Sequence, residues 1–227
     1  MGSDPERTQS LALTGRLKAW LILVGVVAAI GYAGRFSDTH RDRDVVYKWS
    51  TAIGELITFA VILAVVLWIA RGLPKREVFA LRPPRSWPRA VALGFGALIL
   101  IWIVSLALGP LLHPDREQGL APKNWESAHA AAFALNVFAL AIVGPIVEEL
   151  TFRGLGFSLL ERYGETTAIL SIGLAFALWH GLVQAVPVLF VFGAALAYLR
   201  SRTGSVYPGM ILHMLFNGLA LLIAVTV

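Results

Sequence analysis

The feature that most limits what this chain can become is Ala90–Leu112, twenty-three residues without one charged side chain. A helix of that length is about 35 Å long, enough to cross the ~30 Å hydrocarbon layer of a bilayer. Six more apolar runs share the character: Ala19–Gly34, Trp49–Ala70, Ala128–Val147, Thr166–Leu182, Val183–Leu199 and Val206–Val227. The runs measure 16 to 23 residues, and the shorter ones span with help from flanking residues. They predict an all-α fold, a polytopic transmembrane helical bundle of about seven spans. Trp20, Trp49, Trp68, Trp87 and Trp125 fall near the run ends, where indole rings favour the headgroup region.

Composition agrees and narrows the chemistry. The chain of 227 residues is 57% hydrophobic and only 15% charged, far from the quarter charged of ordinary soluble domains. Disorder, collagen and coiled coil are excluded by the same figures. With no cysteine, disulfide scaffolds, thiolate nucleophiles and Cys-ligated zinc or iron–sulfur centres fall away together.

Residues 1–15 read as a loose cytoplasmic N-terminal arm and 16–227 as a single integral membrane domain. No internal repeat or low-complexity tract stands out. Arg16 and Lys18 before the first run also fit a cleaved signal peptide, though the run is long for one. Orientation follows from the basic residues. With the N-terminus inside, thirteen of the nineteen Lys and Arg are cytoplasmic, Arg153 among them, six of them in the loop Arg71–Arg89. That asymmetry obeys the positive-inside rule. The net charge of +5 is therefore a topology signal, and no nucleic-acid partner is expected. The Arg71–Arg89 loop is placed to touch anionic lipid.

Ionisable groups inside apolar runs are costly and mark function or a partner. Seven polar groups qualify: Glu55, Glu148, Glu149, Arg153, His180, His213 and Asn217. Glu149 and Arg153 stand at i, i+4 with the acid first, the favourable sense for an ion pair. Glu148 points about 100° away and is left as the free carboxylate. Pro145 suits the first turn of a new helix, which would put Glu148 where the helix dipole favours an anion. His213 and Asn217 share a helical face by the same i, i+4 spacing, on a helix begun by Pro208-Gly209.

Each element also has a plainer reading. The acids could mark the end of the fourth span, His180 beside Trp179 could be interfacial, and His213 with Asn217 could serve helix packing. Glu55 reads as capping or snorkelling near the outer face, with a place along a substrate's path as the alternative. His40, His113 and His129 read as solvated, and Pro187 as a kink in the sixth span. Together, one carboxylate, two imidazoles and an amide can activate water and hold an oxyanion. No Ser or Thr has an evident base partner, so a covalent intermediate is not favoured.

The succession Glu-Glu-x-x-x-Arg, Phe-x-x-x-His and His-x-x-x-Asn over Glu148–Asn217 resembles the CPBP family of intramembrane proteases. That family includes type II CAAX prenyl endopeptidases and bacteriocin-processing or self-immunity proteins. The resemblance implies Glu148 as catalytic acid with His180 beside it, and His213 with Asn217 around the oxyanion. It implies Glu149 and Arg153 as structural support, and a four-helix catalytic core over about 128–227. The implied activity is hydrolysis of a membrane-associated protein or peptide by a glutamate mechanism, with no cofactor expected. The many Arg, Ala, Gly and Leu residues and the small size point to a bacterial inner membrane.

A zinc-dependent version with the same residues stays open, although no His-Glu-x-x-His pairing exists. A transporter also uses intramembrane acids and histidines, and a non-enzymatic scaffold is the third reading. One conflict concerns depth. By helix rise, His213 lies about 12 Å and His180 about 22 Å from the cytoplasmic side, while Glu148 would sit at the surface. For the three to meet, a span boundary must be elsewhere, or a helix must be tilted or broken.

Overall fold

The computed structural model describes residues 5–37, 44–112 and 125–225. His40 and His113 lie outside them. Every regular element among the described residues is helical. The long helices are α1 (Pro5–Ser37), α2 (Trp49–Ile69) and, after the short α3 (Lys75–Val78), α4 (Trp87–Leu112). α1 begins inside the stretch read as an arm. Next comes a rod built from α5 (Ala130–Phe138), α6 (Gly144–Glu149) and α7 (Phe157–Leu160). It is followed by α8 (Glu165–Trp179), α9 (Val186–Thr203) and α10 (Tyr207–Ala224). Each of the seven apolar runs coincides with a helix. Five helical stretches, 13–35, 49–69, 87–112, 127–163 and 207–224, are long and apolar enough to cross a membrane. Their outward residues are large and apolar, including Ile22, Ile30, Phe95, Trp102 and Leu219, the surface expected of a protein whose solvent is lipid.

The rod changes the reading of the fourth run. Helical structure continues from Ser127 to Tyr163, 37 residues, or about 55 Å. The acids Glu148 and Glu149 therefore lie inside a helix rather than at a span end. Arg153, assigned above to the cytoplasmic side, is fully buried. This removes the conflict in depth. Glu148 stands twelve residues before Leu160, about 18 Å, and His180 closes α8 about 22 Å from its start. The start of α10 is sunk into the bundle, with Val206, Pro208 and Gly209 buried. The basic loop folds up beneath it: Val206 N–H donates to Ala80 O at 3.2 Å, and Arg85 N–H to Thr203 O at 3.2 Å.

Two π-helical turns, Ala139–Val143 and Leu150–Gly156, bracket α6. Such turns widen the helix and free carbonyls from the i→i+4 ladder. Thr151 O is taken by the Trp20 indole N–H at 2.9 Å. Trp20 is thus buried at 1% exposure, against the interfacial place expected of it, because its N–H has a partner inside. Trp49, Trp68, Trp87 and Trp125 remain exposed. Pro145 does lie in the first turn of α6. Yet Val143 and Gly144 keep helical backbone angles, so no free N-terminus faces Glu148 and the dipole argument does not hold. Pro187 sits in the first turn of α9, starting the helix instead of kinking it.

Between helices in lipid, packing rather than transfer from water does the work. Phe152 is fully buried and stands edge-on to Trp20, Phe176 and Trp179 at 6.1, 5.4 and 5.3 Å. α8 and α9 cross closely, since a Cβ on Gly193 would come within 2.9 Å of Gly173 Cα. α1 closes over the end of α8 in the same manner. Gly181 adopts φ +63°, and a Cβ there would meet Gly31 C at 2.6 Å. The turn that follows His180 is therefore pinned by the backbone of α1.

Candidate active site

The site grows from four elements: the α6 helix, the π-turn after it, the end of α8 and the first turns of α10. The i, i+4 pair forms as its spacing predicts. Arg153 Nη1 donates to Glu149 Oε1 at 2.8 Å, with both side chains fully buried. Arg153 Nη2 donates to Gly193 O at 3.0 Å, a carbonyl reached because glycines let α9 come close. The guanidinium also lies 4.5 Å from the Phe176 ring centre, a cation–π contact strengthened by the absence of water.

His213 joins the two glutamates. Its Nδ1 is 3.1 Å from Glu149 Oε1 and its Nε2 3.7 Å from Glu148 Oε2. Phe176 and Phe192 wall the imidazole at 5.7 and 5.0 Å. Glu148 keeps 12% of its side chain exposed, while Glu149 keeps none. One glutamate is locked in the wall, and its neighbour, turned about 100° away, keeps a small exposed share beside His213.

His180 is held by its own helix, Nδ1 standing 2.7 Å from Phe176 O. Its ring is 4.7 Å from Phe176, and it interacts electrostatically with Glu148 and His213 without a hydrogen bond to either. Asn217 donates from Nδ2 to Leu140 O at 3.0 Å. Pro145 has no N–H to offer carbonyls one turn earlier, so this amide supplies a missing donor and leaves one of its own N–H groups over. Asn217 is thus one turn beyond His213 on α10 and is tied to the rod about two turns before Glu148. Glu55 is half-buried on α2 and interacts electrostatically with Glu148. It stands one turn before Phe59, which a Cβ on Gly144 would meet at 2.8 Å. His129 is exposed, 2.7 Å from Glu126.

Gly209, expected only to begin its helix, is also a site residue. A Cβ there would lie 2.7 Å from Glu149 Oε2, the carboxylate oxygen that has no hydrogen-bond partner among the described residues. The signal was present, since Gly209 stands at i−4 from His213 and so shares its face. Glu149 cannot swing aside, being held by Arg153 and His213. Gly209→Ala is expected to destabilise the protein by about 1–3 kcal/mol through overpacking. Its melting temperature should fall by about 2–4 °C for each of those kilocalories, read by thermal unfolding in detergent.

Fold and site together define a polytopic helical membrane protein with a carboxylate–imidazole–guanidinium centre sealed among its helices. Residues 130–219 match the family model described as Type II CAAX prenyl endopeptidase Rce1-like. That stretch holds Glu148, Glu149, Arg153, His180, His213 and Asn217, so the resemblance carried by the three motifs is borne out. Comparison with curated proteins and with solved structures gives no match.

Proposed function

We propose that the chain is an intramembrane endopeptidase that hydrolyses a peptide bond of a membrane-associated protein or peptide, with Glu148 activating the water. The reading rests above all on one observation: within the family-matched stretch, a partly exposed Glu148 faces His213, whose other nitrogen is anchored to the buried Glu149–Arg153 pair. In this scheme Glu148 takes a proton from water as the oxygen attacks the scissile carbonyl. The proton passes to the departing amine as the C–N bond breaks. His180 orients the water or serves the leaving amine. A proton on His213 Nε2 and the spare N–H of Asn217 stabilise the oxyanion. The catalytic core runs from about residue 128 onward, in an inner membrane with the N-terminus cytoplasmic.

Zinc chemistry needs three His or carboxylate ligands at about 2.0–2.2 Å. Among the described residues no such group of three is arranged to hold a metal, and His213 Nδ1 already faces Glu149. The test is cleavage of candidate membrane peptides by the purified protein after exhaustive chelation. Activity should persist, and should vanish in His180→Ala. Loss on chelation with recovery on adding zinc would replace the glutamate mechanism by a metal-dependent one.

A further inference from the structure

Away from the glutamates, at the end of the bundle where the loop Arg71–Arg89 folds under α10, lies a cavity of about 560 Å³. Three arginines from two separate elements line it: Arg82 and Arg85 from the loop and Arg200 from the end of α9. Arg200 is 94% buried by its 6% exposure. Its guanidinium lies 5.3 Å from the Phe157 ring centre, and its Nε has no hydrogen-bond partner among the described residues. Glu161 and Arg82 act on it through their charges, but no ion pair forms between Arg200 and a described carboxylate. A buried cation with an unused donor is expensive, unless something else fills the cavity.

The neighbours are already committed. Arg82 Nε donates to Gly204 O at 2.7 Å, which fixes the loop against the α9–α10 turn and turns the arginine towards the cavity. Glu165 is taken by Ser201 and by Arg202. Three carboxylates, Glu77, Glu161 and Glu165, share the lining with the three arginines; with Glu165 paired to Arg202 from outside it, one positive charge is left over for an anion. Planar guanidinium forks match phosphate oxygens in pairs. The position selects the carrier: the apolar run of α9 ends at Leu199 and the charges begin at Arg200, the level at which lipid phosphates lie. Basic pockets between spans at this level are headgroup sites.

We infer that the cavity lined by Arg82, Arg85 and Arg200 binds the phosphate group of a membrane lipid headgroup, whose amine or hydroxyl faces Glu77 and Glu161. Bound there, the lipid clamps the basic loop to the α9–α10 turn. The loop in turn packs on the rod through Phe79, against which Gly154 leaves no room for a Cβ, at 2.8 Å. The site is thus a brace under the helix that carries Glu149 and Arg153, and it does not depend on the peptidase reading.

The experiment is thermal unfolding of the full chain in neutral detergent, titrated with dioctanoyl phosphatidylglycerol, with dioctanoylglycerol and with inorganic phosphate at matched ionic strength. Above the Kd, the phospholipid should raise the melting temperature by about 4 °C per tenfold increase in concentration. Dioctanoylglycerol, with the same chains and no phosphate, should do nothing. Arg82→Gln/Arg85→Gln changes two exposed side chains and gives up the Arg82–Gly204 hydrogen bond, so its melting temperature without lipid should fall slightly; Arg85→Gln alone keeps that bond, and both variants should lose the response. Arg200→Gln, where it folds, should lose it too. An equal rise with inorganic phosphate would overturn the lipid as the source. A response unchanged in the double variant, or none in the wild type, would overturn the site itself.

Discussion

Glu148→Gln should leave a folded protein that cleaves its substrate about 10³-fold more slowly, the middle of the range for removing a general base. The amide keeps the volume and one oxygen of the carboxylate, and the side chain is 12% exposed and in no hydrogen bond with a described residue. Its replacement keeps the packing volume and alters one ionic contact, that with His213 Nε2 at 3.7 Å. What it removes is the charge of the one glutamate of the pair that is partly exposed. Stability should change by about 1 kcal/mol, the centre of the range for single substitutions, far less than the loss in rate. A Glu148→Gln protein that cleaves within a few-fold of wild type would remove Glu148 from the chemistry.

Arg153→Leu should do the opposite, failing in stability before activity can be asked about. Glu149 would remain buried with no cation beyond His213 and no water to solvate it. Breaking a buried pair from one side costs about 3–5 kcal/mol, which makes it the largest stability loss expected from any single change here. The double change Glu149→Leu/Arg153→Leu should recover much of that loss, since both charges leave together. Unfolding of the single and double variants by a denaturing detergent measures the difference. Equal destabilisation by both would show that the pair is not what the charges are there for. The double variant should still be slow, because His213 loses the anchor at its Nδ1.

Much of this could be read in advance, and the reason differs from residue to residue. The apolar runs gave the helices because lipid demands length and the absence of charge, both visible in sequence. The Glu149–Arg153 pair followed from i, i+4 spacing, a local rule indifferent to tertiary context. The course of the rod through Glu148 was not legible, because two acids after a charge-free run look the same at a span end and at a buried centre. The π-turns leave no periodic mark. Trp20 sits at the edge of its run and would be interfacial but for Thr151 O, a carbonyl released 131 residues away. Gly209 and Gly181 matter only through what passes close to them, a carboxylate in one case and the α1 backbone in the other. The sequence-level motifs found the polar groups, and contacts between distant helices decided how they are held.

The most direct test of the central claim is mass spectrometry of membrane peptides incubated with the purified protein in detergent made up in ¹⁸O-labelled water. Wild type should yield two fragments with one labelled oxygen at the new carboxyl group, and Glu148→Gln, folded to the same extent, should yield essentially none. Cleavage by Glu148→Gln at the wild-type rate would contradict the account.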